Sequence, residues 1–232
     1  MTHEQNAVVL LSGGMDSTVT AHIARAEGYR IHALTIRYGQ RHACELQAAA
    51  RVAHQVGALN HVTLDLDLRA FGGSALTSDI PVPHDRSSTE MSESIPVTYV
   101  PARNTIFLSL ALAFAETRNA SRIYIGVNAL DYSGYPDCRP EFIDAFSRLA
   151  RLATRSGVED EIGMEIRTPL LEMSKAEIVR RGLELGVDFS LTHTCYDPSP
   201  SGVSCGRCDA CQLRLKGFAE AGLTDPISYA IG

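Results

Sequence analysis

Apolar and polar positions along the chain follow two periods in turn. Ala7 to Leu11 is a short unbroken apolar run, as expected of a strand buried on both faces. Asp16 to Glu27 then spaces its apolar residues as a helix does. Tyr29 to Ile36 predicts a second strand and Cys44 to Val56 a second helix, and His61 to Leu66 alternates with the two-residue period of a strand. Farther on, Asn104 to Thr117 predicts a strongly apolar helix, Arg122 to Val127 a β-rich stretch and Pro140 to Thr154 another helix. Ser174 to Leu185 predicts a helix opened by a capping box, because Glu177 follows Ser174 by three residues. Repeated strand–helix units predict an α/β fold built on a doubly wound parallel sheet. Right-handed crossovers place helices on both of its faces.

One segment breaks the rhythm. Gly72 to Pro96 is polar and rich in Ser, Pro and scattered charge, which predicts a long loop, either a functional lid or a disordered stretch. The chain is expected to divide into an α/β domain over 1–190 and a small C-terminal metal-binding and helical segment over 191–232. Its 232 residues, 45% of them hydrophobic, suffice for one such core. The polar start, Met1 to Asn6, lacks a basic leader, and the apolar stretch Leu108 to Ala115 is far short of the ~20 residues that span a bilayer. These features predict a cytoplasmic protein with no membrane partner. A net charge of -6 argues against a broad basic surface, so no nucleic-acid partner is expected.

The chemistry starts at Leu11, Ser12, Gly13, Gly14, Met15, Asp16, Ser17 and Thr18, a turn between the first strand and the first helix. Paired glycines let backbone N–H groups approach an anion, two serines add hydroxyl donors, and the helix N-terminus adds partial positive charge. The pattern GxxxxGK[ST] is absent, as is GxGxxG. The structural alternative is a Gly-rich turn with Ser12 or Asp16 near a helix cap. Asp16 suits Mg2+ on a pyrophosphate, since hard carboxylate oxygens suit that ion. Lys175 and Arg103 fall at predicted helix starts, where the dipole disfavours cations, and a meeting with phosphate would explain each. Tyr38 and Gln40 border a strand-end turn that a nucleotide could share.

Four of the six cysteines, Cys195, Cys205, Cys208 and Cys211, read C-x9-C-x2-C-x2-C. In a reducing compartment this clustering predicts a metal rather than disulfides. Four thiolates complete the shell of one structural zinc, with an iron–sulfur cluster as the competitor. Structural zinc binds with ~10–16 kcal/mol in small peptides, which rivals the ~5–15 kcal/mol net stability of a domain. His193 is expected to be a nearby polar residue rather than a ligand, and Cys44 and Cys138 isolated buried thiols.

Further stretches carry a resemblance over nearly the whole chain. They are Tyr38-Gly-Gln40-Arg-His42, Tyr99-Val-Pro-Ala-Arg103-Asn104, Gly126 to Phe142, and Thr168-Pro-Leu-Leu171 before Lys175. The SGGMDS loop resembles the pyrophosphate loop of the ATP pyrophosphatase (PP-loop) superfamily, and the full set resembles the 7-cyano-7-deazaguanine synthase family within it. The resemblance implies an adenine nucleotide alpha-hydrolase-like fold and a C–N ligase of queuosine biosynthesis that turns ATP into AMP and diphosphate. It implies 7-carboxy-7-deazaguanine and ammonia as the other substrates, adenylated intermediates, a nitrile product and a homodimer. On this reading Asp131 or Asp137 accepts the N–H donors of a guanine-like edge, Arg139 pairs with the substrate carboxylate, and Tyr132 and Phe142 cover the heterocycle. Arg139-Pro140-Glu141 is equally a good helix start. Ala102 departs from the family, where Gly is common, and a positive φ there would strain it. Neighbouring readings are an amide-forming synthetase, a tRNA-thiolating enzyme, or a zinc nucleic-acid-binding module using Arg207, Arg214 and Lys216. An Asp16→Ala variant is expected to lose AMP formation and keep its fold.

Overall fold

A computed structural model describes residues 5–40, 44–92, 94–130, 135–159 and 163–230. The elements run β1 (Asn6–Leu10), α1 (Met15–Ala26), β2 (Arg30–Arg37), α2 (Cys44–Gln55), β3 (Asn60–Asp65), α3 (Ser88–Ser92) and α4 (Arg103–Thr117). They continue β4 (Ala120–Tyr124), α5 (Pro140–Ala153), α6 (Arg155–Glu159), β5 (Glu165–Arg167), α7 (Lys175–Glu184) and α8 (Asp209–Glu220). Each strand and helix expected from periodicity is present, with ends shifted by a few residues. β5 escapes the pattern because three residues are too few to show a period.

All strand pairs are parallel, and the order is β3-β2-β1-β4-β5. The doubly wound sheet expected from the sequence is therefore observed. Successive side chains of β1 point to opposite faces. Val8 and Leu10 join Leu34, Ile36 and Ile123 beneath Leu108, Leu112 and Phe146 of α4 and α5. Ala7 and Val9 join Ile31 and Ala33 beneath Ala21, Ala49 and Val52 of α1 and α2. A third cluster, with Met15, Val19, Ile178 and Phe218, fastens α7 and α8 onto α1. Among the described residues no helix is long and apolar enough to cross a membrane.

The polar segment from Gly72 is neither an open lid nor formless where it is described. Ala75 and Val82 are buried among the cysteines. His84 pairs with Cys208, and Asp85 N–H donates to the Arg207 carbonyl at 2.9 Å. Arg86 and Asp209 form an ion pair at 2.8 Å, and His84 Nε2 lies 3.0 Å from the Asp197 carboxylate. Its apolar residues are too sparse to show a period, yet they cover the cysteine turn like a strap.

Candidate active site and metal centre

β1 is followed by β2 on one side, while β4 lies on its other side. The chain thus reverses direction across the sheet between β1 and β4, and ligands of doubly wound sheets bind at the carboxyl ends of strands there. A cavity of about 1150 Å³, counting its open mouth, occupies this place. Ser12, Gly14, Asp16 and Ser17 line it from the turn after β1; Thr35, Tyr38 and Gln40 from β2 and its end; and Glu45 from α2. Arg103, Asn104 and Phe107 enter from α4, Gly126, Asn128 and Tyr135 from beyond β4, and His193, Thr194 and Tyr196 from the C-terminal segment.

The turn after β1 is shaped for an anion. Gly13 has φ of 83°, and a Cβ there would lie 2.4 Å from the Ala49 nitrogen and 2.5 Å from the Glu45 carbonyl oxygen. Only glycine fits that backbone conformation and that approach. Gly14 precedes α1 in extended conformation and, as glycine, brings no capping side chain of its own. The first-turn dipoles of α1 therefore face the cavity, with the Ser12 and Ser17 hydroxyls 3.0 Å apart beside them. Gly126 also passes close, since a Cβ there would meet the Ser17 nitrogen at 3.0 Å.

Charge is arranged around this turn. Lys175, first residue of α7, brings Nζ to 3.0 and 2.7 Å from the two Asp16 carboxylate oxygens, with side-chain exposures of 6% and 23%. Arg103, first residue of α4, lies over the Tyr38 ring at 5.7 Å and donates to its hydroxyl at 3.5 Å. Burial works against the guanidinium charge, but Tyr38, Tyr196, Tyr135 and Asp137 outweigh it and hold Arg103 above its ordinary pKa. Burial pushes the Tyr38 phenol up to about 12. It pushes the Glu45 carboxyl up to about 7, with Arg103 pulling the other way.

Beside Thr194 and Tyr196 in sequence, Cys195 belongs to a candidate metal centre. The sulfurs of Cys195, Cys205, Cys208 and Cys211 all lie within 4.8 Å of one another, and Cys205 and Cys211 are 3.9 Å apart. Backbone N–H groups of Asp197 and Cys205 point at the Cys195 sulfur at 3.3 and 3.2 Å. Those of Arg207 and Cys208 point at Cys205 at 3.4 and 3.3 Å. Such donors favour thiolates, and four thiolates crowded together need a cation among them. His193 is not in this cluster. Its backbone N–H donates to the Gly13 carbonyl at 2.9 Å, and Thr194 Oγ1 accepts from Met15 N–H at 3.4 Å. The segment that presents Cys195 therefore also grips the anion turn.

Comparisons with known proteins agree with this architecture. The profile of a family described as Queuosine biosynthesis protein QueC matches residues 6–222. The chain belongs to the QueC family. Among its relatives are the 7-cyano-7-deazaguanine synthase of Desulfatibacillum aliphaticivorans, 58% identical over 97% of both chains, and that of Syntrophotalea carbinolica, 62% identical over 97% of both. The structure of NMN synthetase from Francisella tularensis superposes with a TM-score of 0.50 at 18% identity, covering 96% of this chain and 79% of that one. That likeness shows a shared fold.

In this QueC chain the residues singled out by sequence do not all meet. Leu11, Ser12, Gly14, Met15, Asp16, Ser17, Tyr38, Gln40 and Arg103 line the cavity, with Gly13 backing the turn against α2. Thr18 is fully buried and donates to the Gly14 carbonyl at 2.8 Å, away from the cavity. Lys175 reaches the site through Asp16. Asp137 is buried, and its Oδ2 accepts from Asn104 N–H at 2.9 Å, so its carboxylate caps α4. Arg139 is exposed at the start of α5, and half-buried Phe142 stacks on Phe146, their ring centres 6.0 Å apart. Asp131 and Tyr132 lie outside the described residues. Cys138 is buried and Cys44 half-buried, both free. Sequence reasoning missed Glu45, Asn128, Thr194 and Tyr196. Thr194 and Tyr196 had a signal, since they flank Cys195, whereas an acid in the first turn of an amphipathic helix announces nothing.

Proposed function

We propose that the chain is a 7-cyano-7-deazaguanine synthase, an ATP-dependent C–N ligase acting in the cytoplasm. It converts 7-carboxy-7-deazaguanine and ammonia to the nitrile with release of AMP and diphosphate. The observation that carries this reading is the Gly13–Gly14 turn that opens α1 at the sheet's switch point, in a chain of this family. The turn, with the Ser12 and Ser17 hydroxyls, holds the two outer phosphates of ATP. The inner phosphate is left open to a substrate oxygen. Attack by the carboxylate gives an acyl-adenylate and diphosphate, and ammonia displaces AMP to give the amide. The amide oxygen is adenylated in turn, and loss of AMP gives the nitrile.

Arg103 neutralises charge that builds on the phosphates, and Lys175 holds the Asp16 carboxylate in place while contributing its own charge. Asp16 would hold Mg2+, which supplies charge neutralisation of the diphosphate leaving group. Gln40 and Tyr38 border the nucleotide. Arg139, Phe142, Asp131 and Tyr132 contact the deazaguanine, while Asp137 acts by fixing the α4 end that carries Arg103. The four cysteines hold one structural zinc. Ligands at about 2.3 Å in a tetrahedron stand ~3.8 Å apart, close to the 3.9 Å between Cys205 and Cys211, whereas an iron–sulfur cubane spreads its cysteines more widely. Residues 1–190 form the nucleotide domain and 191–232 the metal segment. Exposed Leu149, Leu152 and Val158 on α5 and α6 support a homodimer.

A nucleic-acid module is disfavoured, because Arg207 is paired with Asp85 and Arg214 is buried against Asp225. Incubation with 7-carboxy-7-deazaguanine, ammonium and ATP tests the reading. AMP, diphosphate and a product of nitrile mass are expected. ADP and orthophosphate without AMP would overturn it, and an amide end-product would leave a synthetase that stops halfway. Metal analysis should find one zinc per chain; iron would overturn that assignment.

A further inference from the structure

Two carboxylates line the cavity among the described residues, Asp16 and Glu45. They are not equivalent. Both oxygens of Asp16 accept hydrogen bonds from Lys175 Nζ. Glu45 accepts none from a described side chain or amide, and its charge has only Arg103 to oppose burial. The cavity it lines also holds Arg103 from α4, Tyr38 from the end of β2, Asp16 from α1, Tyr135 from beyond β4, and His193 and Tyr196 from the C-terminal segment, and of these Arg103 and Tyr38 act on its charge. The Tyr38 hydroxyl already meets Arg103, so the phenol stabilises the cation rather than the acid. A half-buried carboxylate with vacant acceptor positions, in a cavity otherwise built for an anion, selects a small cation that can donate hydrogen bonds.

Ammonium is such a cation, and the ligase reading above, on which this step rests, requires it to be made nucleophilic. We infer that Glu45 binds ammonium and takes its proton as the nitrogen attacks the adenylated carbon. One N–H bond breaks and its proton passes to a Glu45 oxygen, leaving ammonia with a free electron pair. That pair forms the C–N bond, the bond from carbon to the adenylate oxygen breaks, and AMP leaves with its electrons. The nitrogen then sheds its surplus proton to solvent, as does Glu45. Glu45 already binds a proton close to neutral pH, so it gives it back readily.

The test uses the full chain carrying Glu45→Gln, which keeps the shape and removes the base. Exchange of diphosphate into ATP in the presence of 7-carboxy-7-deazaguanine reads the first adenylation alone, and it should persist. Amide formation from ammonium at pH 7 should fall by about 100-fold or more. It should climb with pH in the variant as free ammonia does, while the native enzyme sustains it toward neutrality. Hydroxylamine, largely uncharged at pH 7, should restore product formation. Normal ammonium turnover in the variant would overturn the inference. So would loss of exchange together with turnover, which would make Glu45 a nucleotide ligand, or failure of hydroxylamine to rescue. Absence of exchange in the native enzyme would instead overturn the ligase reading itself.

Discussion

Ala102 precedes α4 at φ 53°, ψ 22°, in the left-handed region where a Cβ crowds the following carbonyl. The positive φ that the sequence left conditional is therefore real. Ala102→Gly should raise stability by about 1 kcal/mol in urea unfolding, and an unchanged or lower midpoint would count against that strain. Glu45 stores a cost of another kind. Its folded pKa of about 7 exceeds its ordinary 4.5, so between those values the native state holds the proton more firmly than the unfolded chain does. Its contribution is most favourable below pH 4.5 and is lost as pH rises through 7. Glu45→Gln should accordingly stabilise the protein by about 3 kcal/mol at pH 8 and by little at pH 4.5, read by denaturation at both. Asp16 bears on stability as well as on the site. With Lys175 nearly enclosed beside it, Asp16→Ala abandons a cation, so loss of AMP formation should come with a stability loss of about 2–3 kcal/mol. At this scale the tight glycine turn between β1 and α1 was legible because glycine, serine and position told together. Glu45 was not, since its burial is set by α4 and the metal segment, both distant in sequence.

Elements show how the helix starts are used. α1 begins on a glycine with its first turn lining the cavity and is met only by Thr194 from far along the chain, whereas α7 begins with a full capping box from Ser174 and Glu177. α4 begins on the Asp137 carboxylate, a cap supplied from 33 residues later. That long reach is why a motif reading assigned Asp137 to substrate. α8 is fastened at mid-length by Arg214, which is 1% exposed and donates to Asp225 at 2.7 and 2.9 Å and to Thr192 at 2.6 Å. Arg214→Met should cost about 3–5 kcal/mol, because Asp225 would be left buried and unpaired. The joint variant Arg214→Met with Asp225→Leu should recover much of it; a double variant as unstable as the single would show that packing, not the charge, was lost.

Across the whole molecule, the parallel sheet and its two helical layers could be read from periodicity, because each strand in the middle is long enough to show one, whereas the strand order could not. The strap over the cysteines could not, since its apolar residues are too sparse to show a period and its contacts, apolar and polar alike, arise only once the C-terminal segment is in place. Removing the metal with a chelator should free this strap first, so limited proteolysis is expected to cut near His84–Arg86 before the sheet unfolds. Nucleotide affinity should fall in parallel, measurable by calorimetry.

The hydrogen bond from Met15 to Thr194 closes a span of 179 residues. During synthesis, then, the glycine turn emerges well before its brace and stays without it until the cysteine segment has followed. On the proposed reading a nascent chain would be unable to spend ATP prematurely, and supply of the metal would decide how many finished chains become active.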